Sequence, residues 1–142
     1  MNVVYGSLLL VVISTAVYHL AQKTLSTQGA PFALLTVVYG VALVVCAAGW
    51  MLAPQGPRPS ELLHLSNWPV LVLALAVVGI ELGVYGTYRA GWAVSTLPVL
   101  VNGAVVLCLA PVAVLAFRER LGLPQLGGVA CVLLGVYLLK MK

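Results

Sequence analysis

Long apolar runs separated by short polar segments constrain this chain most strongly. A helix that crosses a membrane needs about 20 consecutive, mainly apolar residues, and five stretches approach or exceed that length. They are apolar on every face and lack the alternation of barrel strands. We therefore predict an all-α fold, a polytopic transmembrane bundle of about five helices. The predicted spans are residues 3–22, 31–52, 68–88, 93–117 and 124–139.

Composition supports an integral membrane protein. Of the 142 residues, 63% are hydrophobic and 7% are charged, with a mean hydropathy of +1.13; soluble domains carry about 25% charged residues. The lipid bilayer is thus an expected partner, and we expect one domain over residues 1–142. The N-terminal run lacks a basic leading segment and a clear cleavage site, which favours a retained helix over a signal peptide.

Several classes of function are excluded. The seven Lys and Arg residues are scattered at the ends of apolar runs, which suits anchoring at lipid headgroups and not binding to nucleic acid. Cys46, Cys108 and Cys131 lie within apolar runs, without the spacing of a disulfide framework or a metal site. The chain has no Asp, no phosphate-binding glycine loop and no His pair at ligand spacing. We expect no enzyme activity, cofactor or metal.

The flanking charges do not choose an orientation. With five helices, three basic residues fall on one face and four on the other, whereas a fixed orientation calls for an excess on one side. Either this signal is noisy, or copies insert in both orientations and pair as an antiparallel homodimer. The two sets are Arg58, Arg118 and Arg120 against Lys23, Arg89, Lys140 and Lys142.

Glu81, near the middle of the third predicted helix, is the most informative residue. A charged acid at that depth costs several kcal/mol, so it indicates a functional site. Such a carboxylate can exchange a proton for a cationic substrate. Helical spacing places Tyr85 and Tyr88 on the same face, as an aromatic wall for an amine. The alternative is a protonated Glu81 bonded to a neighbouring helix, with the tyrosines as packing residues.

The first helix carries two polar series at a spacing of four residues, one of Ser14, Tyr18 and Gln22, the other of Thr15, His19 and Lys23. They predict that this side meets a cavity or another helix and not lipid. We include Ser14, Tyr18 and His19 among the candidate binding residues. The alternative for His19 and Lys23 is a position at the membrane surface.

The fourth helix is also polar in places. Asn102 shares a face with Ser95, and Pro98 and Pro111 suit a cavity wall or hinge. Ordinary tolerance of proline in membrane helices is the alternative. Asn102 completes the set of candidate binding residues.

Glycines predict close helix contacts. Small residues let helices approach closely in lipid, although such motifs are common. The candidates for helix packing or dimerisation are the pairs Gly79 and Gly83, four apart, and Gly128 and Gly135, seven apart.

The C-terminal part of the sequence resembles the drug/metabolite transporter superfamily. Residues 117–128, FRERLGLPQLGG, and 133–139, LLGVYLL, resemble its signature of a Glu-Arg-Leu hairpin followed by a glycine-bearing helix. Residues 91–98 also fit. The pattern is similar to the small multidrug resistance branch and to each half of the EamA-type branch.

This resemblance implies a transporter that works by alternating access. EamA-type proteins usually have two inverted five-helix halves, and this chain resembles one half, which favours an antiparallel homodimer or pairing with a paralogous half. In small multidrug resistance proteins the final helix dimerises through a similar glycine spacing, which Gly128 and Gly135 match. Those proteins carry their essential Glu in the first helix, however, and here it lies in the third. Glu119 matches the family's hairpin acid, which we interpret as structural.

The leading hypothesis is therefore a transporter of a small metabolite or drug-like molecule, with protons as a candidate coupling ion, in a bacterial cytoplasmic membrane. One alternative is a subunit of a lipid-linked sugar flippase, which would pass the charged headgroup by Arg89 and Lys23. Another is a non-transporting subunit of a heteromeric membrane complex.

Overall fold

Helices are the regular secondary structure in the part of the chain that the structure describes. The structure is a computed structural model that describes residues 2–54, 60, 67–116, 118 and 122–140. Within those residues there are five long helices and no strand, which confirms the all-α prediction. The helices are α1 (Asn2–Leu25), α2 (Pro31–Met51), α3 (Trp68–Arg89), α4 (Leu97–Leu115) and α5 (Leu123–Lys140).

Four of these helices are long and apolar enough to cross a membrane, as in an integral multi-pass membrane protein. They are α1 to α4, and the apolar stretch of α1 that qualifies is Val4–Leu25. The fifth helix is 18 residues long, and its described apolar stretch is the shorter Gly127–Leu138.

The surface of these helices is apolar. Only 6% of the most apolar stretch of α1 and of α2 is buried within the chain, and only 11% of that of α3 and of α4. Leu43 and Leu75, for example, are 69% and 73% exposed. An apolar surface this extensive is stable in hydrocarbon and not in water.

The helix boundaries follow local chemistry. Proline occupies the first turn of α2, α3 and α4, where its missing N–H has no helical partner to lose. After α3 the chain turns at Gly91, whose φ of +97° lies in the region that glycine adopts without strain. Its N–H donates to the carbonyl of Tyr88 at 3.0 Å and closes the turn.

Two boundaries differ from the sequence prediction by three residues or more. The fourth helix begins at Leu97 and not at residue 93, because residues 94–96 form a separate turn, in which the Thr96 N–H donates to the Ala93 carbonyl at 3.2 Å. The first helix continues to Leu25, beyond the end of its apolar run, and the Ser26 N–H then donates to the Gln22 carbonyl at 2.8 Å. Backbone hydrogen bonding thus carries α1 about one turn into the polar stretch.

Several predicted features lie outside the described residues. These include Glu119 and Arg120 of the hairpin, Arg58 of the proline-rich break, and Lys142. Arg118, which is described, has a φ of 54°, in the left-handed region.

The chain divides into two compact units, Met1–Gly91 and Trp92–Lys142. In the N-terminal unit α3 packs against both α1 and α2. Its most buried side chains include Leu35 of α2 and Val84, Tyr85 and Tyr88 of α3. In the C-terminal unit α4 packs against α5.

Gly103 sets the close approach of α4 to α5. A Cβ atom at Gly103 would lie 2.6 Å from Cγ2 of Val136, nearer than non-bonded carbon atoms approach.

The four glycines predicted from the sequence to mediate helix packing make no comparable contact with the described residues. Cβ atoms at Gly79, Gly83, Gly128 and Gly135 would meet no described atom within 4 Å, so these glycines make no such contact with another described helix of the chain.

We expect Gly103→Ala to destabilise the C-terminal unit by about 1–3 kcal/mol, because the added methyl group overlaps Val136. Thermal unfolding of the purified protein in detergent measures the effect. Gly40→Ala is the matched control, since nothing lies within 4 Å of a Cβ there and alanine favours helix. Val136→Ala should restore the stability of the Gly103 variant. Equal stability of the two glycine variants would contradict this packing.

Candidate functional site

The carboxylate of Glu81 lies where α3 packs against α1. The Tyr18 hydroxyl donates a hydrogen bond to Glu81 Oε2 at 3.3 Å, and Gln22 Nε2 donates to the same oxygen. Tyr18 and Gln22 are four residues apart and therefore project from one face of α1. We call Tyr18, Gln22 and Glu81 the Glu81 cluster.

The cluster supplies the carboxylate with solvation that lipid cannot. Glu81 and Tyr18 are half-buried, and Gln22 is 6% exposed. Hydrogen bonds to a charged group contribute about 1.5–3 kcal/mol each, so two of them offset much of the cost of an acid in an apolar helix. Both bonds end on Oε2, which leaves Oε1 available to a ligand.

A second pair joins the same two helices. The Tyr88 hydroxyl and His19 Nδ1 lie 2.9 Å apart, with Tyr88 2% and His19 9% exposed. The Nζ of Lys23 lies over the Tyr88 ring, 5.5 Å from its centroid, which is cation–π geometry. The His19 ring also packs edge-on against the Tyr18 ring, with 5.1 Å between the ring centroids, so the Tyr88–His19 pair adjoins the Glu81 cluster.

Tyr85 and Tyr88, which were expected to form an aromatic wall beside Glu81, make other contacts. The Tyr85 hydroxyl donates to the backbone carbonyl of Gln28, and Tyr88 engages His19 and Lys23. The tyrosine that contacts the carboxylate is Tyr18, from the polar series of α1.

The other candidate residues take part in none of these contacts. Ser14 is exposed on α1, one turn before Tyr18. Asn102 is exposed on α4, in the C-terminal unit. Cys46, Cys108 and Cys131 are free and exposed on their helices.

One residue that sequence reasoning did not include in the site belongs to it. Gln22 was predicted only as part of a polar stripe, yet it contacts Glu81 directly. The Tyr39 hydroxyl of α2 is buried without a hydrogen-bond partner among the described residues. Gln22 could have been found from its spacing, since a glutamine one turn from a tyrosine in an apolar helix requires a polar partner.

Two cavities lie among the described residues of the N-terminal unit, and the Glu81 cluster lines one of them. The smaller, of about 110 Å³, is lined by Tyr18, Gln22 and Glu81 and by apolar side chains of α1 and α2. The larger, of about 440 Å³, is an apolar groove between α2 and α3 that Tyr39 lines. The polar groups thus converge on a small space with apolar surroundings, as in many small-molecule sites.

The polar groups of the Glu81 cluster are a carboxylate, an amide and a phenol hydroxyl. Among the described residues, no three His, Cys, Asp or Glu side chains converge as ligands for a transition metal. One carboxylate with an amide and a phenol suits a single positive charge, because the carboxylate neutralises one charge and the others supply oriented dipoles.

Comparison of the chain with protein families, with characterised proteins and with solved structures gave no significant match.

We expect Tyr88→Phe to lower the stability of the protein by about 1–3 kcal/mol, because it leaves the buried His19 Nδ1 without its partner. Thermal unfolding in detergent measures the change. Tyr5→Phe is the matched control, since Tyr5 lies on α1 and is 64% exposed. If both variants lose the same stability, the Tyr88–His19 contact does not hold α1 against α3.

Proposed function

We propose that this protein is a membrane transporter that carries a small cationic metabolite or drug-like molecule by alternating access. The observation that supports this proposal best is the Glu81 cluster, a carboxylate placed in an apolar helix and solvated by two side chains of a neighbouring helix. Ionisable groups within membrane helices mark ion and substrate pathways far more often than structural positions.

The cluster has the chemistry of an exchange site. Tyr18 and Gln22 hold one oxygen of Glu81 in place, and all three residues line the small cavity. A cationic substrate bound at this site stabilises the negative charge of Glu81, which water would stabilise outside the membrane. When the substrate leaves, a proton or another cation can replace it, so the charge of Glu81 need not remain uncompensated.

We further propose that two copies pair in opposite orientations. The chain resembles one half of an inverted-repeat transporter, and its flanking basic residues are almost evenly divided between the two faces. The open glycines Gly128 and Gly135 suit a contact with a second helix of another copy.

Replacement of the acid tests the site. We expect Glu81→Gln to abolish transport in proteoliposomes, because the amide keeps the shape of the side chain and removes its charge. The measurement is the uptake of ethidium, of a radiolabelled quaternary ammonium ion or of a radiolabelled primary amine into proteoliposomes, which is detected whether or not net charge crosses the membrane.

Glu61→Gln is the matched control, because it makes the same chemical change in the polar segment before α3. It should transport as the parent protein does, and both variants should elute from size exclusion as the parent does. Full activity in Glu81→Gln would refute the site. If none of the three cations were taken up faster than by empty liposomes, the proposed function would be wrong.

Cysteine labelling tests the orientation. Cys46, Cys108 and Cys131 are replaced by Ala, and a single Cys is appended to either terminus. We expect an impermeant maleimide to label about half of the molecules at each terminus in intact cells, and the remainder only after permeabilisation. Labelling of one terminus alone would exclude dual topology and would require an inverted partner.

A further inference from the structure

Gln22 carries an acceptor that nothing in the described structure satisfies. Its Nε2 donates to Glu81, but its Oε1 is buried and has no hydrogen-bond partner among the described residues. Gln22 is 6% exposed, so water does not readily reach this oxygen. A buried acceptor left unpaired destabilises the folded protein, which implies that a ligand completes the site.

The cavity beside Gln22 is small. Its volume is about 110 Å³, and Gln22, Glu81 and Tyr18 all line it. Leu34, Leu35 and Val38 of α2 line it with apolar side chains. A space of this size holds an ion with a few water molecules.

The polar side chains that line this cavity carry oxygens of the kind that bind hard cations. They are Glu81 with its carboxylate, Gln22 with its amide oxygen and Tyr18 with its phenol oxygen. Carboxylates, amide carbonyls and water are the ligands of hard cations, whereas transition metals favour imidazole and thiolate. A single carboxylate balances one charge, which favours a monovalent over a divalent ion.

We propose that the Glu81 cluster binds Na⁺, and that Na⁺ is the coupling ion that exchanges with the cationic substrate at this site. This inference rests on the proposed transport function. Oε1 of Glu81, Oε1 of Gln22 and the Tyr18 oxygen supply ligands from the protein, and water molecules in the cavity complete the shell. A proton on Glu81 would neutralise the carboxylate but would leave the cavity without a ligand.

Binding of Na⁺ can be measured on the purified protein, independently of transport. The purified protein is heated in detergent in NaCl, KCl, NH₄Cl or choline chloride at equal ionic strength, and unfolding is followed by the fluorescence of its three tryptophans. Because a ligand stabilises the folded state that binds it, we expect the unfolding temperature to rise with NaCl and to saturate. Binding of radioactive ²²Na⁺ to the same protein gives the affinity directly.

Variants locate the ion. Gln22→Leu should weaken ²²Na⁺ binding about tenfold or more, since it removes one oxygen ligand, and Glu81→Gln should abolish it. Gln28→Leu is the matched control, because Gln28 is exposed and contributes only its backbone carbonyl to Tyr85. It should bind ²²Na⁺ as the parent does. Normal binding by Gln22→Leu would overturn the assignment even if Glu81→Gln does not fold.

The remaining outcomes separate the ion from the transport function. Equal stabilisation by all four salts would overturn the sodium site, as would stabilisation by NH₄⁺ alone or by a lower pH alone. Substrate uptake that depends on Glu81 but persists without Na⁺ would overturn sodium coupling and leave the transport proposal in place. Saturable ²²Na⁺ binding without any substrate uptake would support the sodium site and contradict the transport proposal.

Discussion

A carboxylate in an apolar helix must be solvated by the protein itself, and in the N-terminal unit a neighbouring helix provides that solvation. Glu81 receives two hydrogen bonds from α1, which come from Tyr18 and Gln22. These contacts require that α1 present its polar face to α3, and the lipid-facing sides of both helices remain apolar. The Tyr88–His19 pair uses the same face. Polar contact therefore determines how α1 is rotated against α3.

This requirement matters more in lipid than it would in water. Apolar side chains gain little by leaving hydrocarbon for a helix interface, so hydrogen bonds and close packing must hold membrane helices together. In the N-terminal unit the bonds of Glu81, Tyr85 and Tyr88 join α3 to α1 and to the residues that follow it. In the C-terminal unit, close packing at Gly103 takes that role.

The same cluster unites the two proposals. A site that must hold a carboxylate in an apolar helix is also a site that can accept a cation, since the ion supplies the missing charge. The unpaired oxygen of Gln22 also requires a partner, which can be a cation or a hydrogen-bond donor. A transporter and its coupling ion are thus inferred from one set of atoms, although each has its own test. The resemblance to the drug/metabolite transporters stays a prediction.

The sequence by itself determined the helices and the residue at the centre of the site. The lengths of the apolar runs place most helix ends within a few residues, because in lipid every backbone polar group must be bonded within its own helix. A lone acid in such a run marks Glu81 for the same physical reason. Local turn chemistry still moved the start of α4 to Leu97, since hydropathy does not distinguish a turn from a helix.

Only the tertiary structure decided what surrounds Glu81. Spacing along α3 suggested Tyr85 and Tyr88, but the partners are Tyr18 and Gln22, which lie 63 and 59 residues away in the sequence. Their identity depends on how α1 is rotated and packed, and helical periodicity within one helix carries no such information. Packing likewise placed the close helix contact at Gly103 and left Gly79, Gly83, Gly128 and Gly135 open, because a glycine motif becomes a contact only where another helix approaches it.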